Sequence, residues 1–237
     1  MNDQPSGPGS VRGLVLADGT PPTRAGLNFA WPGWDTDIGC VVAADGGARL
    51  AARLDLRIDR WLGDGDSLSA AEIQELREAG VPVDVVRPDK DESDTELAVL
   101  AAAEVATDIS ILGALGGLRV DHAVANLGLL AHPGLVGRSV RLLDDRSRVT
   151  LIAAPDAGGR PVVAELDGRV GDLVSLLPMG DVVEGVTTDG LRYQLADDSL
   201  IAGPARGLSN VRLRRRAQVS VRIGRLLVVE TPVTLSQ

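Results

Sequence analysis

Cysteine is nearly absent. Cys40 is the single one in 237 residues, which excludes an internal disulfide and fits a reducing compartment. Cys40 sits in an apolar run, so a buried, inert thiol is expected. Lysine is as scarce: Lys90 stands alone among 24 basic residues, and arginine carries nearly all the positive charge. No uncharged apolar stretch reaches the length of a membrane span, and the opening MNDQPSGPGS has neither the basic region nor the apolar run of a secretory leader. The expectation is a frayed tail on a cytoplasmic protein with no membrane partner. The formal charge of −9 disfavours nonspecific attachment to nucleic acid or anionic membranes. A hydrophobic fraction of 44% with 24% charged residues belongs to a globular chain that can bury a core.

The first part of the chain alternates strand-like runs with helical patterns. Strands are expected at Val11–Ala17, Cys40–Ala44, Arg60–Gly63, Val83–Val86, Ile109–Gly113 and Val140–Leu143. Helices are expected at Ala48–Leu56, Ala70–Ala79, Asp94–Ala106 and His122–Ala131, with Gly80 ending the second. This order predicts βαβ units and a largely parallel sheet with flanking helices, whose ligands bind beyond the carboxyl ends of the strands. Residues 18–39, rich in Gly, Pro and Trp, read as an irregular insert. Beyond residue 146 the helical pattern stops. Short runs at Val149–Ala153, Val162–Leu166, Leu173–Leu177, Leu191–Leu195, Ala217–Ile223 and Leu226–Glu230, punctuated by Gly and Asp, predict a smaller all-β sandwich. The expected division is 1–145 and 146–237.

What the chain does have is a set of aspartates among glycines just past its strands: Asp45, Asp64, Asp66, Asp91, Asp94 and Asp121. Carboxylates gathered on one sheet edge repel each other unless a hard cation neutralises them, and Mg²⁺ is typically held by one or two carboxylates with water and phosphate oxygens. Asp64 and Asp66, two apart in Gly-Asp-Gly-Asp-Ser, point to one side of an extended backbone; a turn with solvated Asp is the competing reading. Asp45-Gly46-Gly47 precedes a helix, where free amides suit a phosphate. Ser69 with Glu72, and Ser93 with Glu96, match capping boxes, which leaves Asp91 outside a capping role. Asp121 either caps a helix or belongs to the site, and His122 and Asn126 share one face of that helix. Arg212, Arg214, Arg215 and Arg216 alternate as a solvated strand face would.

Taken together, these motifs resemble the thiamine pyrophosphokinase family across nearly the whole chain. The resemblance rests on Ala44-Asp45-Gly46-Gly47-Ala48, Gly63-Asp64-Gly65-Asp66-Ser67, Lys90-Asp91-Glu92-Ser93-Asp94 with Glu96-Leu97, and Gly116-Gly117 through Asp121-His122 and Asn126. In the second half it rests on Val174 to Pro178, Thr188 to Gly190 with Leu191 and Tyr193, and Gly207 to Asn210. It implies a homodimer whose sites are completed by the partner's β-domain, and a transfer from ATP to thiamine giving AMP and thiamine diphosphate. It further implies that Asp45, Asp64, Asp66 and Asp91 hold Mg²⁺ and the triphosphate, with Asp64, Asp66 and Asp91 as metal ligands. Gly46 and Gly47 would approach the phosphates, as would Asp94 and Arg119. Asp121 would face thiamine, with His122 and Asn126 beside it, and Ser209 and Asn210 would close the thiamine pocket. Asp94 and Asp121 are both open as the group that deprotonates the thiamine hydroxyl. The chain departs from the family pattern at Leu118, an extra residue before Arg119, at Gly65, where a bulkier residue is usual, and in having no Trp beyond residue 62.

Other readings weigh less. An aspartyl-nucleophile phosphohydrolase needs Thr or Val two past the second Asp, where Leu68 stands. A binding protein without turnover, and a nucleic-acid module on the arginine run, are the remaining alternatives.

Overall fold

The computed structural model describes residues 11–233; the expected tail at 1–10 lies outside the described residues. The described chain divides between Asp145 and Arg146 into two compact units.

In the first unit, β1 (Arg12–Leu16), β2 (Ile38–Ala44), β3 (Arg60–Gly63), β4 (Val83–Val85), β5 (Asp108–Leu112) and β6 (Ser139–Leu143) pair in the order β6-β5-β1-β2-β3-β4. Every pairing is parallel. The central strands are apolar along their length, as a sheet covered on both faces requires: Leu14, Val15, Leu16, Ala43, Ile109, Ile111 and Leu112 are buried. The helices are α1 (Arg24–Ala30), α2 (Gly47–Arg53), α3 (Ala70–Glu78), α4 (Asp94–Ala103) and α5 (Val120–Leu129). Helix α4 crosses β1, β2 and β3 and buries Ala98, Val99, Ala102 and Ala103, whose small side chains let it lie close to the sheet. The Ser69 box on α3 is complete. Ser69 accepts from the Glu72 amide, and Glu72 accepts from the Ser69 amide at 2.8 Å. On α4 only the serine half forms, because Glu96 turns to His132 Nε2 at 3.3 Å.

The segment expected to be irregular contains α1. Thr23 caps it, accepting from the Gly26 amide, and Thr23 in turn donates to Asp145 through its amide and hydroxyl at 3.2 and 3.1 Å. Pro21, Pro22 and Gly26 hide this helix in the sequence. Glycine is needed at 26 because a Cβ there would lie 2.5 Å from Asp145.

The second unit is all-β, as expected. β7 (Arg148–Ala154), β9 (Leu173–Pro178), β12 (Asn210–Val211) and β14 (Gly224–Thr231) lie in the order β12-β9-β14-β7. β8 (Val162–Asp167), β10 (Val182–Asp189), β11 (Asp198–Ile201) and β13 (Arg216–Val221) form a separate sheet in the order β11-β10-β13-β8. All pairings are antiparallel, and Val174, Leu176, Val183, Val186, Val219, Leu226 and Val228 meet in one core. The expected strand at 191–195 is not a strand: it is a loop that buries Leu191 and Leu195 and exposes Tyr193. β10 lies just before it. A bulge at Gly185, with φ of +66°, interrupts the alternation that would have marked β10 in the sequence.

Arg212 does not belong to a solvated face. Its side chain is 1% exposed and pairs with Glu230 Oε1 at 2.5 Å, while Arg148 takes Glu230 Oε2 at 2.7 Å. Arg214 and Arg216 are exposed and pair with Asp189 and Asp167.

Candidate active site

Parallel pairing brings the carboxyl ends of the first unit's strands to one edge. Leu16 is level with Ala43 and with Leu112, and Ala44 with Leu62. The residues that follow, Asp18, Asp45, Asp64 and Gly113, therefore share that edge. The strand order reverses beside β1, and the loops after β1 and β5 meet there. The Gly19 amide donates to Gly113 O at 2.6 Å, Thr20 N to Leu115 O at 3.2 Å, and Gly117 N to Thr20 Oγ1 at 2.8 Å. Backbone fills this switch point, and the side-chain chemistry lies next to it, over β2 and β3.

There Asp45, Asp64 and Asp66 each bring a carboxylate oxygen within 4.8 Å of the others. Asp45 has φ of +46°, a left-handed turn that Asp tolerates better than most residues. It is pinned by its amide to Leu62 O at 2.9 Å and by Trp61 Nε1 to its own carbonyl at 2.9 Å. A Cβ on Gly63 would lie 2.0 Å from Asp45 Oδ1, so only glycine leaves room for the carboxylate. Asp64 accepts from the Asp66 amide at 2.9 Å, which curls the Gly65 turn and sets both side chains beside Asp45.

Asp94, at the start of α4, faces Asp45. Burial, then the hydrogen bond and charge of Asp94, then the charges of Asp64 and Asp66 push the Asp45 carboxyl up to about 8. Asp45 Oδ1 is buried without a hydrogen-bond donor. Two ionised carboxylates in contact have no donor between them, so only a proton or a cation can satisfy the pair. Lys90 Nζ supplies part of that charge as an ion pair 2.8 Å from Asp94 Oδ1. An all-oxygen, multiply anionic group with an unsatisfied inner atom fits a hard divalent cation such as Mg²⁺.

The other sequence-predicted residues fall around this group or apart from it. Asp91 is exposed in the turn ahead of α4 and is not part of the three-carboxylate group. Gly46 and Gly47 open α2, where a Cβ on Gly47 would lie 2.0 Å from Leu16 O. Arg119 N-caps α5 and pairs with Asp121, its Nε 3.2 Å from Oδ1. That bond holds the Asp121 carboxyl below its ordinary range. His122 is exposed, and Asn126 is buried with its amide donating to Ala114 O at 2.8 Å, bracing the β5–α5 loop.

In the second unit, Ser209 takes φ of +56°, and its amide donates to Ser175 Oγ at 3.0 Å. Asn210 is buried. It accepts from the Tyr193 and Val211 amides and donates to Tyr193 O at 2.7 Å, so it fixes the loop that carries the exposed Tyr193.

One residue escaped the sequence reading, and one was noted there only as part of the family resemblance and given no site role. Asp18 lies against Gly46, whose Cβ would meet its carboxyl at 2.3 Å, and it lines a cavity of about 180 Å³ with Gly19, Gly46, Arg49 and Arg53. The signal was present, since Leu-Ala-Asp-Gly at 16–19 repeats the Ala-Ala-Asp-Gly of 43–46. Tyr193, the one tyrosine of the chain, was read as part of a strand.

A parallel α/β unit with an acidic group on its carboxyl edge, followed by a β-sandwich, defines the class: an α/β enzyme built to handle phosphates. Comparison with known proteins narrows it. Residues 36–142 match the family model described as thiamin pyrophosphokinase, catalytic domain, and residues 163–227 match thiamin pyrophosphokinase, vitamin B1 binding domain. Thiamine pyrophosphokinase of Bacillus subtilis (strain 168) is 26% identical over 170 residues, covering 71% of this chain and 76% of the relative. The crystal structure of a thiamin pyrophosphokinase family protein from Enterococcus faecalis superposes with a TM-score of 0.76 at 26% identity, covering 94% of this chain and 99% of that one. Thiamin pyrophosphokinase from Candida albicans, at 13% identity, shares the fold with a TM-score of 0.75 over 94% of this chain and 90% of its own. The chain belongs to the thiamin pyrophosphokinase family.

Proposed function

We propose that this protein transfers the pyrophosphoryl group of ATP to the hydroxyl of thiamine, giving thiamine diphosphate and AMP. The observation that carries the reading is the Asp45–Asp64–Asp66 group, which lies inside the segment matched by the catalytic-domain model. Asp64, Asp66 and Asp45 are the residues suited to hold Mg²⁺, with Asp91 able to join from its exposed turn ahead of α4. Bound there, Mg²⁺ would neutralise phosphate oxygens and the charge that develops on departing AMP. The chain's own contribution is positioning: in-line attack needs the thiamine hydroxyl and the β-phosphorus held in register.

Asp94 is the better choice for taking the hydroxyl proton. Both carboxylates are ion-paired, Asp94 with Lys90 and Asp121 with Arg119, but Asp94 faces the acidic group, whereas the Arg119 bond holds Asp121 below its ordinary range, which weakens it as a base. Arg119 is exposed on the same loop and suits the phosphates. His122 is free to approach ligand, while Asn126 acts by bracing the loop.

Ser209, Asn210 and Tyr193 belong to the segment matched by the vitamin B1 binding model. With Asn210 holding its backbone, Tyr193 offers an exposed aromatic face for the cationic thiazolium in a sandwich that has no tryptophan. The protein acts as a homodimer, the sandwich of one copy closing the thiamine pocket of the other. No described helix is long and apolar enough to cross a membrane, and a cytoplasmic setting suits both substrates.

The test is to incubate the protein with thiamine, ATP and Mg²⁺ and separate the products, with an EDTA control. Equimolar AMP and thiamine diphosphate, abolished by EDTA, is the expected result. ADP or free phosphate without thiamine diphosphate would overturn the reading in favour of a hydrolase.

A further inference from the structure

We propose that Lys90 is a built-in counter-ion that occupies the electrostatic place of the divalent cation when the cation is absent, and so sets how tightly the cation binds. The inference rests on reading the acidic group as a cation site.

Three observations carry it. Lys90 is the sole lysine of a chain that uses arginine at every other basic position. It lies in the acidic edge, its side chain 14% exposed and its Nζ 2.8 Å from Asp94 Oδ1, on the carboxylate that faces Asp45. Arg49 of the neighbouring helix α2 is committed elsewhere, to both oxygens of Glu72 at 2.7 and 3.0 Å.

The choice of lysine has a chemical consequence. A guanidinium fork grips a carboxylate bidentately, whereas an ammonium on a flexible four-carbon stem makes a point contact that can swing away. A releasable cation suits a site that is filled and emptied, because it lowers the repulsion among the carboxylates in the empty state without blocking the filled one. It also competes with the incoming ion, so affinity is held below what the bare carboxylates would give.

The experiment measures Mn²⁺ binding by electron paramagnetic resonance, and thermal unfolding in EDTA, for the full-length wild type, Lys90→Met and Lys90→Arg. Lys90→Met is expected to bind Mn²⁺ about tenfold tighter or more, since a nearby unit charge has been removed, and to melt at a lower temperature in EDTA at neutral pH. Lys90→Arg, which keeps the charge but locks on Asp94, is expected to bind Mn²⁺ several-fold more weakly than Lys90→Met. Wild type and Lys90→Met binding Mn²⁺ within about twofold of each other would overturn the inference and leave the cation site standing. Wild type that binds no Mn²⁺ would overturn both. Should Lys90→Met fold poorly, Lys90→Gln carries the same comparison with a polar replacement.

Discussion

Both units of this protein bury charge, and they treat it in opposite ways. In the sandwich, Arg212 and Glu230 are 1% and 4% exposed and opposite charges are matched: Arg212 and Arg148 divide the two oxygens of Glu230, while Arg212 Nε is buried without a hydrogen bond of its own. Burial pulls the Arg212 guanidinium below its ordinary range, with Glu230 opposing the shift. On the carboxyl edge of the parallel sheet, three carboxylates and the facing Asp94 share one ammonium, which sits on Asp94, and an inner oxygen of Asp45 is left unanswered. Buried ions in a folding core must be paired to be tolerated. A site that receives a cation must instead be left short of positive charge. The sandwich network balances its buried ions, and the acidic edge carries more negative charge than its one ammonium balances.

The largest effect that would break this contrast is on stability. Arg212→Met leaves Glu230 buried with half its partners, and a loss of about 3–5 kcal/mol is expected, read by chemical denaturation. Turnover of the folded fraction should stay near wild type. A loss below about 1 kcal/mol would show that the network is not needed for folding.

Asp64→Asn should do the reverse. Removing one charge from an overcrowded acidic edge leaves the fold intact in EDTA, while product formation falls about 10²- to 10³-fold, the size associated with losing one charge-stabilising group. Full activity at saturating Mg²⁺ would exclude Asp64 from the metal site.

A third expectation concerns pH. The Asp45 carboxyl holds its proton up to about 8 in the folded protein against an ordinary value of 3.8, so the folded state binds more protons between these limits. The contribution of Asp45 to metal-free stability should therefore be fully present near pH 4 and be lost as pH rises to about 8. Melting curves in EDTA across that range check it. Asp45→Asn should flatten the slope, and saturating Mg²⁺ should offset it.

The smallest effect is a control. Ser69→Ala removes the complete capping box of α3 and should cost about 1 kcal/mol with activity unchanged.

The sequence is most legible where local rules and tertiary placement agree. Six strands alternating with helices announced the parallel sheet, and the Asp-Gly turns marked its functional edge. Legibility failed where one residue's meaning depends on distant partners. Helix α1 is hidden by Pro21, Pro22 and Gly26, and Thr23 is held by Asp145, a residue 122 positions away. Arg212 alternates like its exposed neighbours, and only Glu230, paired through β14, reveals it as buried. Within the site, the Ser93–Glu96 capping box made Asp91 look like the residue free for a ligand. In the fold, Asp94 sits in the first turn of α4 and also faces Asp45, because α4 crosses the sheet. Asp18 required knowing that β1 and β2 lie side by side.

The most direct test of the central claim, that the edge is incomplete without a cation, is to grow crystals with Mn²⁺ and locate it by anomalous scattering. The account predicts a peak among Asp45, Asp64 and Asp66, with Lys90 Nζ withdrawn from Asp94. A structure at saturating Mn²⁺ with no peak there, and with the Lys90–Asp94 contact intact, would contradict it.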